Sequence, residues 1–399
     1  MAPVPFGRRA VALSTAFVFA VGGGLVALSS SGGAAPSVAN GSSLTIASFT
    51  SDFSAMEQLT DLAKQGKGKV VALLPDTQSS ARYVQYDAPF LKQAFAAAGL
   101  SSKDFQVQNA QGSAQTMQTQ AEAAITNGAS VLLVDPLDSG SGAAIQKNAK
   151  SKGVKTIDYD RLTLKGSASY YVSFDNVKVG ERIGQGFVDC VTDWGLADPQ
   201  VLVMNGDPTD NNATLFNEGY MSILDPKFSA DDYTKVAEPA GTWDNQKALT
   251  TFQQQYTAHP NINAVVTPND GVANAVISGL KTLRVPAKTV PTTGQDATLE
   301  GLQNVLTGYQ CMTVYKPIYQ EAQAAAALAL FLRAGKKPPA ALVNGKVNNK
   351  NGNVPSALLD PVIVDTQNMG STVVADEFVD VSELCSGSVA SACTAAGIS

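Results

Sequence analysis

The stretch VKTIDYDRLTLKGSASYYVSFDNVKVG, Val154 to Gly180, decides the fold. It opens on a short run, residues 154–159, that reads as a strand and ends in Asp160-Arg161. In open α/β sheets, ligands bind outside the carboxyl ends of the strands, which is where this carboxylate and guanidinium lie. A second strand, residues 170–174, ends in Asp175-Asn176, and a helix is expected from Val177. One α/β lobe ends here and the chain crosses into another.

The same rhythm extends in both directions. Before the stretch, strands are expected at 69–74, 105–109 and 131–134, with helices at about 84–98, 114–127 and 141–152. After it come a helix at 177–194 and strands at 201–205, 234–238, 264–267, 290–293 and 311–315, separated by helices. An Ala-rich helix at 320–334 and a strand at 362–364 close the pattern. Short apolar strands separated by helices of this length indicate parallel sheets covered on both faces. Such crossovers are right-handed. The expected class is α/β, with two Rossmann-like lobes in tandem.

A chain of 399 residues suggests two to three domains, and 44% hydrophobic residues supply a sizeable core. The net charge of -6, with no basic stripe, argues against nucleic acid or an anionic membrane surface as partner. The single histidine, His259 in TAHPNIN, is read as an exposed loop residue, and a catalytic triad or His-rich metal site would have to use it. No cofactor is expected.

Residues 1–39 carry Arg8-Arg9, a mostly apolar run and then small residues, which is the pattern of an export signal. An uncleaved membrane anchor is the alternative, because the apolar run is nearly long enough to span. Residues 40–67, rich in Ser, Gly, Ala and Thr, read as a linker or surface segment with a weak helical pattern at 53–64. Export permits disulfides. Cys190, Cys311, Cys385 and Cys393 allow three pairings, of which Cys385 with Cys393 is the simplest and leaves Cys190 with Cys311.

The residues just past each strand form a set. They are Arg82-Tyr83, Asp160-Arg161, Asp210-Asn211-Asn212, Asn269-Asp270, Gln295-Asp296 and Lys316, with Trp243 ahead of a helix. Asp and Asn also favour turns and helix N-caps, so each alone has a purely structural reading. Together they lie on the ligand-facing edges of two sheets. Arg and Lys donate hydrogen bonds, ionised Asp accepts them, and Asn does both. Tyr83 and Trp243 can cover the C–H faces of a ring. That inventory suits a neutral polyhydroxylated ring, a sugar. A phosphate would call for a Gly-rich nest and excess positive charge, and neither is present. Asp160, Asp210 and Asp296 could in principle form the carboxylate pair of a glycosidase. The cations and amides among them suit binding better than proton transfer.

These residues sit in motifs that resemble a known family. SSARYVQYD (Ser79 to Asp87), YDRL (Tyr159 to Leu162), YYVSFDNVKVGE (Tyr170 to Glu181), GDPTDNNA (Gly206 to Ala213), TPNDG (Thr267 to Gly271), GQDA (Gly294 to Ala297), MTVYKP (Met312 to Pro317) and VPSALL (Val354 to Leu359) follow one another in that family's order. The chain resembles the periplasmic sugar-binding proteins of the type I solute-binding class that feed ABC importers. Within that class it most resembles the D-xylose-binding and multiple-sugar-binding members. The likeness covers about residues 69–384.

The resemblance implies two lobes joined by a three-segment hinge. Residues 68–175 and 317–355 would form the first lobe, and 176–316 and 356–399 the second. It implies a monosaccharide held in the cleft by Arg82, Tyr83, Asp160, Arg161, Asp210, Asn212, Trp243, Asn269, Asp296 and Lys316. It further implies an ABC permease as partner, a monomeric exported protein and no catalysis. A sugar sensor presenting its closed form to a chemoreceptor or two-component system is the alternative. Xylose binders carry Trp where this chain has Tyr83, which puts the preferred sugar in question.

Overall fold

The computed structural model describes residues 44–398. The expected export signal, 1–39, lies outside the described residues. Among those described, no helix is long and apolar enough to cross a membrane.

The described chain opens on two short helices, α1 (Ser54–Glu57) and α2 (Thr60–Gln65). It then alternates strand and helix: β1 (Lys69–Leu74), α3 (Ala88–Ala97), β2 (Phe105–Asn109), α4 (Ala114–Thr126), β3 (Ala129–Val134), α5 (Ser139–Ser151), β4 (Lys155–Tyr159) and β5 (Tyr170–Phe174). The β1 residues divide between the sheet's two faces, as strand periodicity requires. Val70, Ala72 and Leu74 join the core under α3, while Val71 and Leu73 join the core under α4 and α5.

The second lobe comprises α6 (Asn176–Asp193), β6 (Gln200–Val203), α7 (Asn211–Ser229), β7 (Thr234–Ala237), α8 (Asn245–Ala258), β8 (Ala264–Val266), α9 (Asp270–Thr282), α10 (Leu299–Thr307) and β9 (Thr313–Tyr315). The chain then returns to the first lobe with α11 (Ile318–Arg333), β10 (Gly345–Asn348) and β11 (Asn353–Leu359). It crosses back once more to β12 (Val362–Val364) and a tail that includes α12 (Val381–Leu384) and α13 (Ala390–Ala395). The chain therefore passes between lobes at three places: after β5, after β9 and after β11.

The first-lobe sheet has seven strands in the order β10-β11-β5-β4-β3-β1-β2, parallel except for β10. In the second lobe, β7-β6-β8 form a parallel sheet. Single bridges, Val265 to Thr292 and Gln295 to Val314, lead from it toward β9, which pairs antiparallel with β12. The strand expected at 290–293 is thus reduced to one bridge. Helices α6 and α7 approach closely because Gly180 and Gly219 face the partner helix's backbone, where any Cβ would overlap it. That contact seats the start of α7, and with it Asp210 and Asn212.

Two expectations are corrected. Leu44, Phe49, Phe53, Met56, Leu59 and Leu62 are buried in the first-lobe core, so the described part of 40–67 is no surface linker. The Ser/Gly/Ala composition diluted these apolar residues, which α1, α2 and the irregular segments around them all turn into the core. The expected lobe boundary at 355/356 falls inside β11, whose Ser356–Leu359 pair with β5. The crossing lies at Asp360-Pro361, because a strand already hydrogen-bonded in one sheet cannot leave it midway without orphaning its ladder. The cysteines pair as Cys190–Cys311 and Cys385–Cys393. The tail packs on α10, and Phe378 stacks on Tyr86 at 4.0 Å between ring centroids.

Leu59 is fully buried. Leu59→Ala is expected to cost about 2–5 kcal/mol by the usual price of a core cavity. Urea unfolding measures this; a linker residue would show no change.

Candidate functional site

Arg82 follows β1 and is 1% exposed. The next five residues, Tyr83–Asp87, form a π-helical turn, and such turns often mark functional sites. The turn brings Asp87 back onto Arg82. The guanidinium donates from Nε and Nη2 to Asp87 (2.8 and 2.7 Å), from Nη2 to Glu321 Oε2 on α11 (2.6 Å) and from Nη1 to Asp160 Oδ1 (2.8 Å). Arginine has five N–H groups, so one remains to face the cleft. Arg82 lines the cleft and also ties Asp160 to Asp87 and Glu321.

Asp160 adopts a left-handed backbone, φ +56°. Few non-glycine residues do so, Asp and Asn most readily. Its carbonyl accepts hydrogen bonds from Tyr171 Oη, Ser173 Oγ and Asn212 Nδ2, which hold the conformation. Its Oδ2 accepts from Tyr83 Oη at 3.0 Å. Burial disfavours its charge, but Arg82, Lys316 and Arg161 outweigh that and hold the carboxyl below the usual range.

The second lobe meets this cluster with residues that also start its helices. Asp210 caps α7 with Oδ1, accepting from Asn212 N, and turns Oδ2 toward Trp243 Nε1 (3.1 Å) and Arg161 Nε (3.2 Å). Burial still pushes its carboxyl above the usual range, against the pull of Arg161. Asn269 caps α9 with Oδ1 and donates from Nδ2 to Ser79 O in the other lobe. Asp296, also left-handed with φ +98°, accepts from Ser80 Oγ and lies 3.0 Å from Lys316 Nζ. Trp243 packs over Gly206, where a Cβ would overlap the indole.

All ten expected site residues therefore line one small cleft. Ser79, Ser80, Phe216 and Gln295 complete the lining. Phe216 was missed, although it lies one helical turn past Asn212 on the same face of α7. Gln295 Oε1 is buried and accepts no hydrogen bond from the protein. Asp87 and Glu321 were missed because both act behind the wall, through Arg82. Asp135 ends β3 and satisfies the same strand-end rule, yet it was overlooked in the apolar run around it. Among the described residues no cluster could hold a metal.

The pattern of a periplasmic binding protein domain matches residues 71–337. The chain belongs to the periplasmic binding protein family. Within this family it is 35% identical to the D-xylose-binding periplasmic protein of Escherichia coli, over 82% of this chain and 96% of that one. It is 31% identical to the multiple sugar-binding periplasmic protein SbpA of Azospirillum brasilense, over 78% and 89%. A solved carbohydrate transporter solute binding protein from Chloroflexus aurantiacus, in complex with D-glucose, superposes with a TM-score of 0.70 at 27% identity. It covers 79% of this chain and 97% of that one. The family's members are binding proteins rather than enzymes, and the fold is the two-lobed type I arrangement.

Two outcomes follow from the Arg82 cluster. Arg82→Met leaves Asp87, Asp160 and Glu321 buried without their cation, and unfolding should show a loss of about 3–5 kcal/mol. Burial pushes the Glu321 carboxyl up to about 8, with Arg82 pulling the other way. A carboxyl raised on folding stabilises at low pH, and that contribution is lost as pH rises from the ordinary carboxylate value toward about 8. The stability of the native chain relative to Glu321→Gln should therefore fall across that window, as read by denaturant midpoints.

Proposed function

We propose that this chain captures a neutral monosaccharide, a xylose-like pentose or related aldose, between its lobes and delivers it to an ABC permease. The observation that carries this reading is the meeting of strand-end residues from both sheets around one small cleft. The cleft is small and lined almost wholly by polar side chains from both lobes. Arg161, Lys316 and Asn269 offer donors, while Gln295 Oε1 and the carboxylates offer acceptors. A sugar hydroxyl uses both. Trp243 and Phe216 supply apolar surface for ring C–H groups. The D-xylose-binding and multiple sugar-binding relatives support the same substrate class.

Capture works by population shift. Both lobes contact a ligand only when closed, so a sugar favours that form by its differential affinity. The first-lobe wall brings Arg82, Tyr83, Asp160, Arg161 and, at the crossing, Lys316. The second-lobe wall brings Asp210, Asn212, Trp243, Asn269 and Asp296. Tyr83 replaces the Trp of xylose binders, and its hydroxyl is held between Asp160 and Arg161. The ring thus forms a fixed wall with a polar edge.

Isothermal titration against pentoses and hexoses tests the proposal. Heat with at least one aldose is expected, and silence across the panel ends the idea. Lys316→Met removes a charged donor worth about 1.5–3 kcal/mol, so affinity should fall about 10- to 150-fold. A cooperative thermal transition without sugar, lowered but still well above the assay temperature, would separate this from misfolding.

A further inference from the structure

Asp135 directly follows β3 and is fully buried. Neither of its carboxylate oxygens accepts a hydrogen bond from a protein group. Buried carboxylates without partners are rare and call for an explanation. The nearest cation is Arg161, whose Nε lies 3.6 Å from Asp135 Oδ1. The same Nε lies 3.2 Å from Asp210 Oδ2, in the other lobe. Two carboxylates thus compete for one guanidinium edge. Asp210 has other donors in Asn212 N and Trp243 Nε1, whereas Asp135 has none.

We propose that Asp135 is a positioning residue that takes over Arg161 when the lobes part and takes up a proton when they close. This rests on the sugar-receptor reading above and adds a regulation to that site. Asp135 and Arg161 belong to the same lobe, so their pairing survives opening. Asp210 leaves with the other lobe. In the open form, Asp135 is an anion paired with Arg161. On closing, Asp210 recaptures Arg161, and Asp135 is left beside Asp160 in a sealed interior. The balance is open receptor with Asp135 carboxylate, plus sugar, plus one proton, giving the closed complex with Asp135 carboxylic acid.

The surroundings of Asp135 agree. The groups around it are Arg82, Tyr83 and Asp87 from the segment after β1, and Asp160 and Arg161 from the end of β4. Burial, and then the charge of Asp160, push its carboxyl well above the usual range, against the pull of Arg161 and Arg82. The sign follows. The closed form binds the proton more tightly, so sugar affinity is greatest at low pH. It is lost as pH rises through the closed-form value of Asp135, by up to tenfold per unit.

The test is titration calorimetry of the full chain with D-xylose and with D-glucose, between about pH 5 and 9, in two buffers of different ionisation enthalpy. Native protein should take up a proton on binding, and its Kd should rise with pH. Asp135→Asn should bind with less uptake and a flatter profile, any remainder coming from Asp210, which burial also raises. The native protein's proton count stands even where the variant fails to fold, and Asp135→Leu gives a second variant. Binding without uptake in the native protein, or a proton count unchanged in Asp135→Asn, overturns this proposal alone. No heat with either sugar overturns the sugar reading, and this proposal with it.

Discussion

The structure depends on one buried polar cluster, the guanidinium of Arg82 paired with Asp87 and Asp160 and hydrogen-bonded to Glu321. Burying these charges is costly, and their mutual attraction repays the desolvation only with good geometry. An apolar cluster of the same volume would serve stability as well or better. What the ions add is placement. Arg82 ties the turn after β1 to the end of β4 and to α11, the helix that returns from the other lobe. A displaced Asp160 would misplace Tyr83, Lys316 and Arg161 together.

The strained backbone at Asp160 belongs to the same account. A left-handed aspartate costs on the order of 1–3 kcal/mol unless its surroundings over-determine it. Here Tyr171, Ser173 and Asn212 all donate to its carbonyl. Asn212 comes from the second lobe, so part of this support exists only with the lobes together. The residue that organises the first wall is thereby made sensitive to the arrival of the second.

Much of this was legible in the sequence, for reasons that can be named. Apolar runs bounded by turns placed most strands and helices because parallel sheets bury both faces. The strand-end rule found the cleft because crossover connections point every strand's carboxyl end the same way. The choice between a structural and a functional reading of Asp210 and Asn269 was a false one. One oxygen of each caps a helix, while the remaining polar atom reaches into the cleft. Other features had no local signal. Glu321 sits in an Ala-rich helix and acquires its role only when α11 packs beside Arg82. The core residues of 44–63 were diluted by small polar neighbours. The end of β11 read as a new lobe because pairing with β5 is a long-range fact.

The contacts that cross the cleft also explain how such a receptor can respond to a small ligand. Ser80 to Asp296, Asn269 to the Ser79 carbonyl, Asn212 to the Asp160 carbonyl and Arg161 to Asp210 are all polar. Each can be exchanged for water on opening, so each contributes only about 0.5–1.5 kcal/mol net, somewhat more where charged. Together with Asn245 Nδ2 on the Gln78 carbonyl and the Lys316–Asp296 pair, such contacts favour the closed form only modestly, before the entropy of lobe motion is counted against it. An apolar seam of similar extent would lock the lobes shut. A polar seam leaves the two forms close in free energy, and a ring with several hydroxyls, meeting both walls at once, is enough to decide between them.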